Sequence, residues 1–159
     1  MEQPGYAFRK ATVSDVKAIH RLINDAASED AMLPRSLSDL YEKVRDFHVC
    51  ESGGRVLGCC ALHIIWEDMA EIRSLAVQPD SRGKGLGVGL VRRCLAEREE
   101  YGIRKVFVLT YIPGFFEKLG FRKVSKDILP HKVWSDCVKC PKFPDCGETA
   151  MITDDAAAN

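Results

Sequence analysis

At 159 residues the chain is near the usual length of one domain, long enough to bury a continuous apolar core and too short for two full domains. Its 46% hydrophobic and 29% charged residues are the balance of a soluble globular protein, and 23 Lys plus Arg against 23 Asp plus Glu leave no global positive field to gather nucleic acid or an anionic membrane. The start, MEQPGYAFRK, lacks the apolar stretch of a leader, and the longest apolar runs, 56–66 and 106–109, are too short to cross a bilayer, so a cytoplasmic location is expected.

Taken in chain order, YAFRK alternates as a strand, and Thr12 followed by Asp15 is a capping-box signal for a helix with Val16, Ile19, Leu22 and Ile23 on its apolar face. Ser36 or Ser38 can cap a second helix carrying Leu37, Leu40, Tyr41 and Val44. FHVCES, the pair Gly53-Gly54 and RVLGCCALHII read as a β-hairpin, because two glycines permit the positive φ of a tight turn. Trp66-Glu67-Asp68 then connects to a fourth strand, AEIRSLAV, which ends at Gln78-Pro79 and leads through RGKGLGVG into a helix with Leu90, Val91, Cys94 and Leu95 on one face.

KVFVL follows as a strand, FFEKLG as a short helix and FRKVS as a closing strand. The order is β-α-α-β-β-β-α-β-α-β, an α+β class. The expected core is 1–126, with a Cys-containing extension over 127–159 packed on the same domain and ITDDAAAN as a frayed end. Seven cysteines, two of them adjacent at Cys59 and Cys60 inside an apolar run, argue for buried thiols rather than a disulfide framework.

A loop with Gly83, Gly85, Gly87 and Gly89 directly before a helix can turn several backbone N–H groups inward without Cβ obstruction, making an anion nest at the positive end of the helix. Such a nest suits a pyrophosphate, with Arg82 and Lys84 adding charge. A flexible turn is the bland alternative. RGKGLG lacks the GK[ST] of a Walker loop, and the β-α-α-β-β opening does not suit a Rossmann unit.

The pattern Arg/Gln-x-x-Gly-x-Gly/Ala, matched by Arg82, Gly85 and Gly87, resembles the cofactor loop of the GNAT N-acetyltransferase superfamily, and FFEKLGF resembles its second motif. The resemblance covers about Tyr6 to Lys126. It implies a mixed, strongly twisted sheet with splayed central strands, here Glu71–Val77 and Val106–Thr110, and acetyl-CoA as co-substrate. It also implies that backbone groups of Leu75, Ala76 and Val77 pair with the pantetheine arm and that Arg82, Gly83, Lys84, Gly85, Leu86 and Gly87 grip the pyrophosphate.

Acetyl transfer to an amine needs the amine neutral, whereas an α-amino group has a pKa of about 7.7–8.0 and Lys about 10.4. Glu71 stands where several members of the superfamily place a general base; the alternative is a strand-end glutamate in solvent or paired with Arg73. Where many members carry an acidic tyrosine, this chain has Phe116, which cannot donate a proton. Tyr111 is a substitute or a packed aromatic, so no general acid is assigned. No Cys–His pair can be placed from the sequence, which favours direct transfer over an acyl-enzyme.

More narrowly, MLPRSLSDLYEKVRDF, GCCALHIIWEDMAEIRSLAV and KVFVLTYIPGFFEKLGF resemble the amino-acid N-acetyltransferases of arginine biosynthesis, the N-acetylglutamate synthases, in a short stand-alone form. That resemblance implies glutamate as the amine, with Arg35 and His63 binding its carboxylates and Arg73 as a third anion partner. Arg35 is a surface charge, and His63 a strand histidine, on the plainer reading. Glutamine, another small amine and a non-catalytic acetyl-CoA sensor are the alternatives. A small-molecule amino acid is thus the expected partner, with no nucleic acid and no membrane; a homodimer is left open. His131, Cys137, Cys140 and Cys146 raise a Cys₃His zinc site, but their spacing matches no standard finger, and a lid or packing segment is preferred to a metal site.

Overall fold

The computed structural model of the chain describes residues 5–28, 32, 34–128 and 148–154. Strand β1 (Ala7–Lys10) runs into the capping signal, where the Asp15 carboxylate accepts the Thr12 backbone N–H at 2.8 Å and so starts a 3-10 turn that continues as α1 (Val16–Ser28). Arg9 holds the same carboxylate with both terminal nitrogens, at 2.7 and 2.9 Å. Helix α2 (Leu37–Glu42) is capped by Ser36, whose hydroxyl accepts the Asp39 N–H at 3.1 Å.

Strands β2 (Phe47–Ser52) and β3 (Arg55–Trp66) form the expected hairpin, with Gly53 and Gly54 at φ of 58° and 78°. Then follow β4 (Met69–Val77), α3 (Leu86–Glu97), β5 (Lys105–Thr110), α4 (Pro113–Glu117), β6 (Arg122–Lys123) and β7 (Thr149–Thr153). Helix α4 starts two residues before FFEKLG because Pro113 takes its first turn, where a missing N–H costs nothing.

One seven-stranded sheet results, in the order β1-β2-β3-β4-β5-β7-β6, antiparallel except for the central parallel pair β4–β5. β7 departs from the expected frayed end at Ile152. It inserts between β5 and β6, and Ala150, Met151, Ile152 and Thr153 are buried. A strand covered on both faces shows no polar alternation, which is why its five residues carry no readable period.

Two layers of helix explain the continuous apolar run of β3. Cys59 and Ala61 face α1 and α2, packing in a cluster with Ile19, Ile23, Leu40 and Phe47. Cys60 and Leu62 face α3, packing with Leu86, Leu90, Val91 and Cys94. The α1–α2 face and the α3 face are therefore separate chemical surfaces of one sheet.

Two features of β4 set up the site. Its pairing with β5 runs from Met69–Lys105 to Ile72–Val108 and goes no further, so the strands part beyond Ile72. Against β3, Ala61 pairs with Arg73 and Cys59 with Ala76, so Ser74 and Leu75 together oppose Cys60 in a β-bulge. Ser74 has φ of 56°, a left-handed conformation that side-chain-bearing residues rarely adopt.

Candidate active site

The turn expected to hold an anion is built almost wholly from backbone. Gly85 is the N-cap of α3 at φ 80° and ψ 11°, and Gly83 has φ of 79°. The first bond inside the helix runs from Gly89 N–H to the Gly85 carbonyl at 3.1 Å, so the N–H groups of Leu86, Gly87 and Val88 precede the ladder and point along the axis. Buried Leu86 roots this turn in the core, while Arg82 and Lys84 are exposed beside it. Arg82 Nε also donates to the Val77 carbonyl at 3.3 Å, tying the loop to the end of β4.

The glycines divide by role, which the run of four does not reveal. Gly83 and Gly85 supply positive φ. Gly87 and Gly89 lie inside α3, and a Cβ on Gly89 would meet the Phe8 ring at 2.5 Å, so that glycine serves packing of α3 on β1. The exposed turn, its unspent N–H groups and two adjacent cations fit a diphosphate group. Leu75, Ala76 and Val77 lie on β4 past the point where β5 has left it, so their strand edge no longer pairs with β5.

The other face of the sheet carries side-chain chemistry. His63 and Glu71 are register partners across β3 and β4, and Arg73 pairs with Ala61 two residues along. Ala61 packs with α1 and α2, and the two-residue alternation puts His63, Glu71 and Arg73 on that face too. Glu71 is 7% exposed, and Arg73 Nε donates to its carboxylate; this is the pairing weighed above as the alternative to a free base. His63 Nδ1 lies 2.7 Å from Asp46 Oδ2 in the turn before β2. Arg35, just before α2, donates from Nε to Asp39 at 2.7 Å and from Nη1 to Ser74 Oγ at 3.0 Å, with its guanidinium 5.5 Å over the Phe47 ring.

All the charged residues singled out on the amine side thus share one face of the sheet, each already partnered by another side chain. Their partners Asp39, Asp46 and Ser74 were missed from the sequence. Only Asp39 had a signal, its four-residue spacing from Arg35 on a helical start. A left-handed Ser74 leaves no trace in the residue type.

Phe116 is 2% exposed and stacks edge-on between Phe115 and Phe121, with centroids 5.0 and 5.2 Å away, so it is a core residue. Tyr111 is 38% exposed at the end of β5. Cys50, Cys59, Cys60 and Cys94 are buried free thiols; burial pushes Cys59 up to about 12 and Cys50 up to about 11, which makes them poor nucleophiles. Among the described residues no group of three His, Cys, Asp or Glu is placed to hold a metal ion, and no helix is long and apolar enough to cross a membrane. His131, Cys137, Cys140 and Cys146 lie outside the described residues.

Comparison with known proteins agrees with this geometry. The model of the Acetyltransferase (GNAT) domain matches residues 40–123. An uncharacterized N-acetyltransferase of Chlorobaculum tepidum is 43% identical over 144 residues, 91% of this chain and 93% of the relative. An amino-acid acetyltransferase of Mycobacterium tuberculosis is 40% identical over 120 residues, 74% of this chain and 68% of the relative. The crystal structure of N-acetylglutamate synthase from Neisseria gonorrhoeae, complexed with coenzyme A and N-acetyl-glutamate, superposes with a TM-score of 0.87 at 25% identity, covering 96% of this chain and 36% of that one.

Proposed function

The chain belongs to the GNAT family of N-acetyltransferases, and from that premise we propose that it moves acetyl from acetyl-CoA to the α-amino group of glutamate by direct transfer, the entry reaction of arginine biosynthesis. The observation that carries the reading is the joint on β4: a backbone anion nest follows one end of the strand, and Arg35, Glu71 and Arg73 gather on the α1–α2 face where β4 parts from β5. The named amino-acid acetyltransferase and the N-acetyl-glutamate complex among its relatives support the choice of amine.

Acetyl-CoA bound along β4 supplies an activated acetyl thioester. The N–H groups of Leu86, Gly87 and Val88, with Arg82 and Lys84, hold its diphosphate, and the unpaired edge of Leu75 to Val77 offers donors and acceptors to its amide-bearing arm. A β4 backbone N–H donates to the thioester carbonyl oxygen as charge develops there. Glu71 accepts the ammonium proton, so that the amine lone pair is free to attack; Arg73 orients that carboxylate. Arg35, charged at any working pH, takes the amino-acid carboxylate, and His63, oriented by Asp46, faces the side-chain group.

The departing thiolate belongs to a thiol of ordinary pKa about 8.5, which leaves tolerably without a strong acid. Phe116 supplies no proton, and Tyr111 is the exposed hydroxyl near the end of β5.

The test is CoA release by purified protein across a panel of amino acids and one primary amine without carboxylates. Glutamate should be acetylated best, and Arg35→Ala should raise its KM about 10–150-fold, the worth of one charge-assisted pair. Better turnover of the carboxylate-free amine, or an equal effect of Arg35→Ala on both, would leave an N-acetyltransferase of another amine.

A further inference from the structure

Arg35 sits in an unusual position for a residue whose task is to meet a substrate. One of its terminal nitrogens is spent on Ser74 Oγ, in the middle of the bulge of the cofactor strand. A non-glycine residue at φ 56° is held there against its own preference, so surrounding contacts must impose it. Two contacts are visible. The Arg35 guanidinium donates to the Ser74 hydroxyl at 3.0 Å, and the Cys59 thiol donates to the Ser74 carbonyl at 3.4 Å.

The guanidinium is itself fixed from two further directions, by Asp39 at 2.7 Å on Nε and by the Phe47 ring beneath it, while Asn24 of α1 anchors the backbone at this residue by donating its side-chain amide to the Arg35 carbonyl at 3.3 Å. Its Nη2 has no hydrogen-bond partner among the described residues, which leaves one edge for an incoming carboxylate.

We propose that Asp39, Arg35 and Ser74 form a positioning relay: Arg35 braces the β4 bulge through the Ser74 hydroxyl, and a carboxylate on Arg35 stiffens that brace and thereby tightens acetyl-CoA on the same strand. The proposal rests on the cofactor reading given above, since it needs the thioester arm to lie along β4. The bulge directs where the backbone N–H groups after Ile72 point, because it inserts one residue and twists the strand away from β5. Arg35 is then a positioning residue for the cofactor as well as a carboxylate ligand, and the two roles are separable. Ser74 affects only the first. A lysine at 35 keeps the charge for the second but cannot reproduce a fork that reaches Asp39 and Ser74 together.

The experiment is calorimetric titration of acetyl-CoA into wild type, Ser74→Ala, Ser74→Gly, Arg35→Lys and the double variant Ser74→Ala/Arg35→Lys, with and without glutamate. Without glutamate, each single change should weaken acetyl-CoA about three- to tenfold, the range of one lost hydrogen bond, and the double variant should be no weaker than its weaker parent. Glutamate should tighten acetyl-CoA in wild type and no longer do so in the Ser74 variants, whose affinity for glutamate in the absence of acetyl-CoA stays within about twofold; a residue that only supports the fold would not erase this coupling.

Wild-type affinity in both Ser74 variants, or losses that add in the double variant, would overturn the relay. So would wild-type behaviour in Ser74→Gly beside a weakened Ser74→Ala, because that assigns the effect to backbone strain alone. Asp39→Asn takes the place of Arg35→Lys if the latter does not fold. A glutamate KM unaffected by Arg35→Ala removes the carboxylate reading while leaving the brace standing, so the two failures are distinct.

Discussion

The two ends of the site are made in opposite ways. The proposed diphosphate cradle is six consecutive residues, Arg82 to Gly87, in which two positive-φ glycines lead into a helix start. The proposed amine side is assembled from Arg35, Asp46, His63, Glu71 and Arg73, contributed by four separate segments of chain and held by separate pairs, Arg35 with Asp39, His63 with Asp46 and Arg73 with Glu71. A backbone cradle is a property of local conformation and tolerates many side chains. A side-chain pocket is a property of register and packing, and it is complete only when segments far apart in sequence meet, as Arg35 meets Ser74 and Asp46 meets His63.

The largest expected effect tests the side-chain half. Glu71→Gln should lower turnover by roughly 10²-fold or more at neutral pH, with a smaller loss at high pH where more of the amine is already neutral. An unaltered pH–rate profile would eliminate Glu71 as the base and leave the pair with Arg73 as its whole role.

Next in size is a pair of substitutions that separates cradle from scaffold within one glycine run. Gly85→Val should weaken acetyl-CoA by about tenfold or more, because a β-branched residue opposes φ of 80° at the turn that aims the N–H groups. Gly89→Ala should instead lower the melting temperature with the larger share of its effect, since its Cβ collides with the Phe8 ring at 2.5 Å on the far side of the helix start. Calorimetry and thermal unfolding on both variants check this; equal affinity losses would merge the two roles again.

The smallest effect lies away from both halves and sets the scale for an ordinary structural ion pair. Asp15 is held below its usual 3.8, chiefly by the Arg9 guanidinium and with help from the Thr12 N–H, while burial opposes the shift. A depressed carboxylate contributes stability that is fully present above its unfolded value and fades as pH falls through the folded one. Asp15→Asn should therefore cost a few degrees of melting temperature at neutral pH, about 1–2 kcal/mol for a lost cap, and the gap from wild type should close below about pH 4. A gap that persists in acid would assign the loss to packing instead of charge.

The elements from β1 through β6 were legible because each carries a local period or a local signal. Thr12 and Asp15, Ser36 and Gly53-Gly54 act within a few residues of themselves, and alternating apolar positions follow from helix and strand geometry whatever the neighbours are. β7 was not legible. Its place depends on β5 having an open edge beyond β4, which no property of TAMIT announces.

The same division runs through the site. Sequence by itself determined the glycine turn and the helix it opens, since both are written in adjacent residues, and it determined which charged residues were available for the amine side. The pairing of Glu71 with Arg73 was already one of two readings of the strand, whereas only the tertiary structure decided that Asp46 orients His63 and that Arg35 reaches across to Ser74. Those two contacts come from the packing of the turn before β2 against β3 and of the chain before α2 over Phe47, interactions between residues 17 and 39 positions apart, which no local period or cap announces.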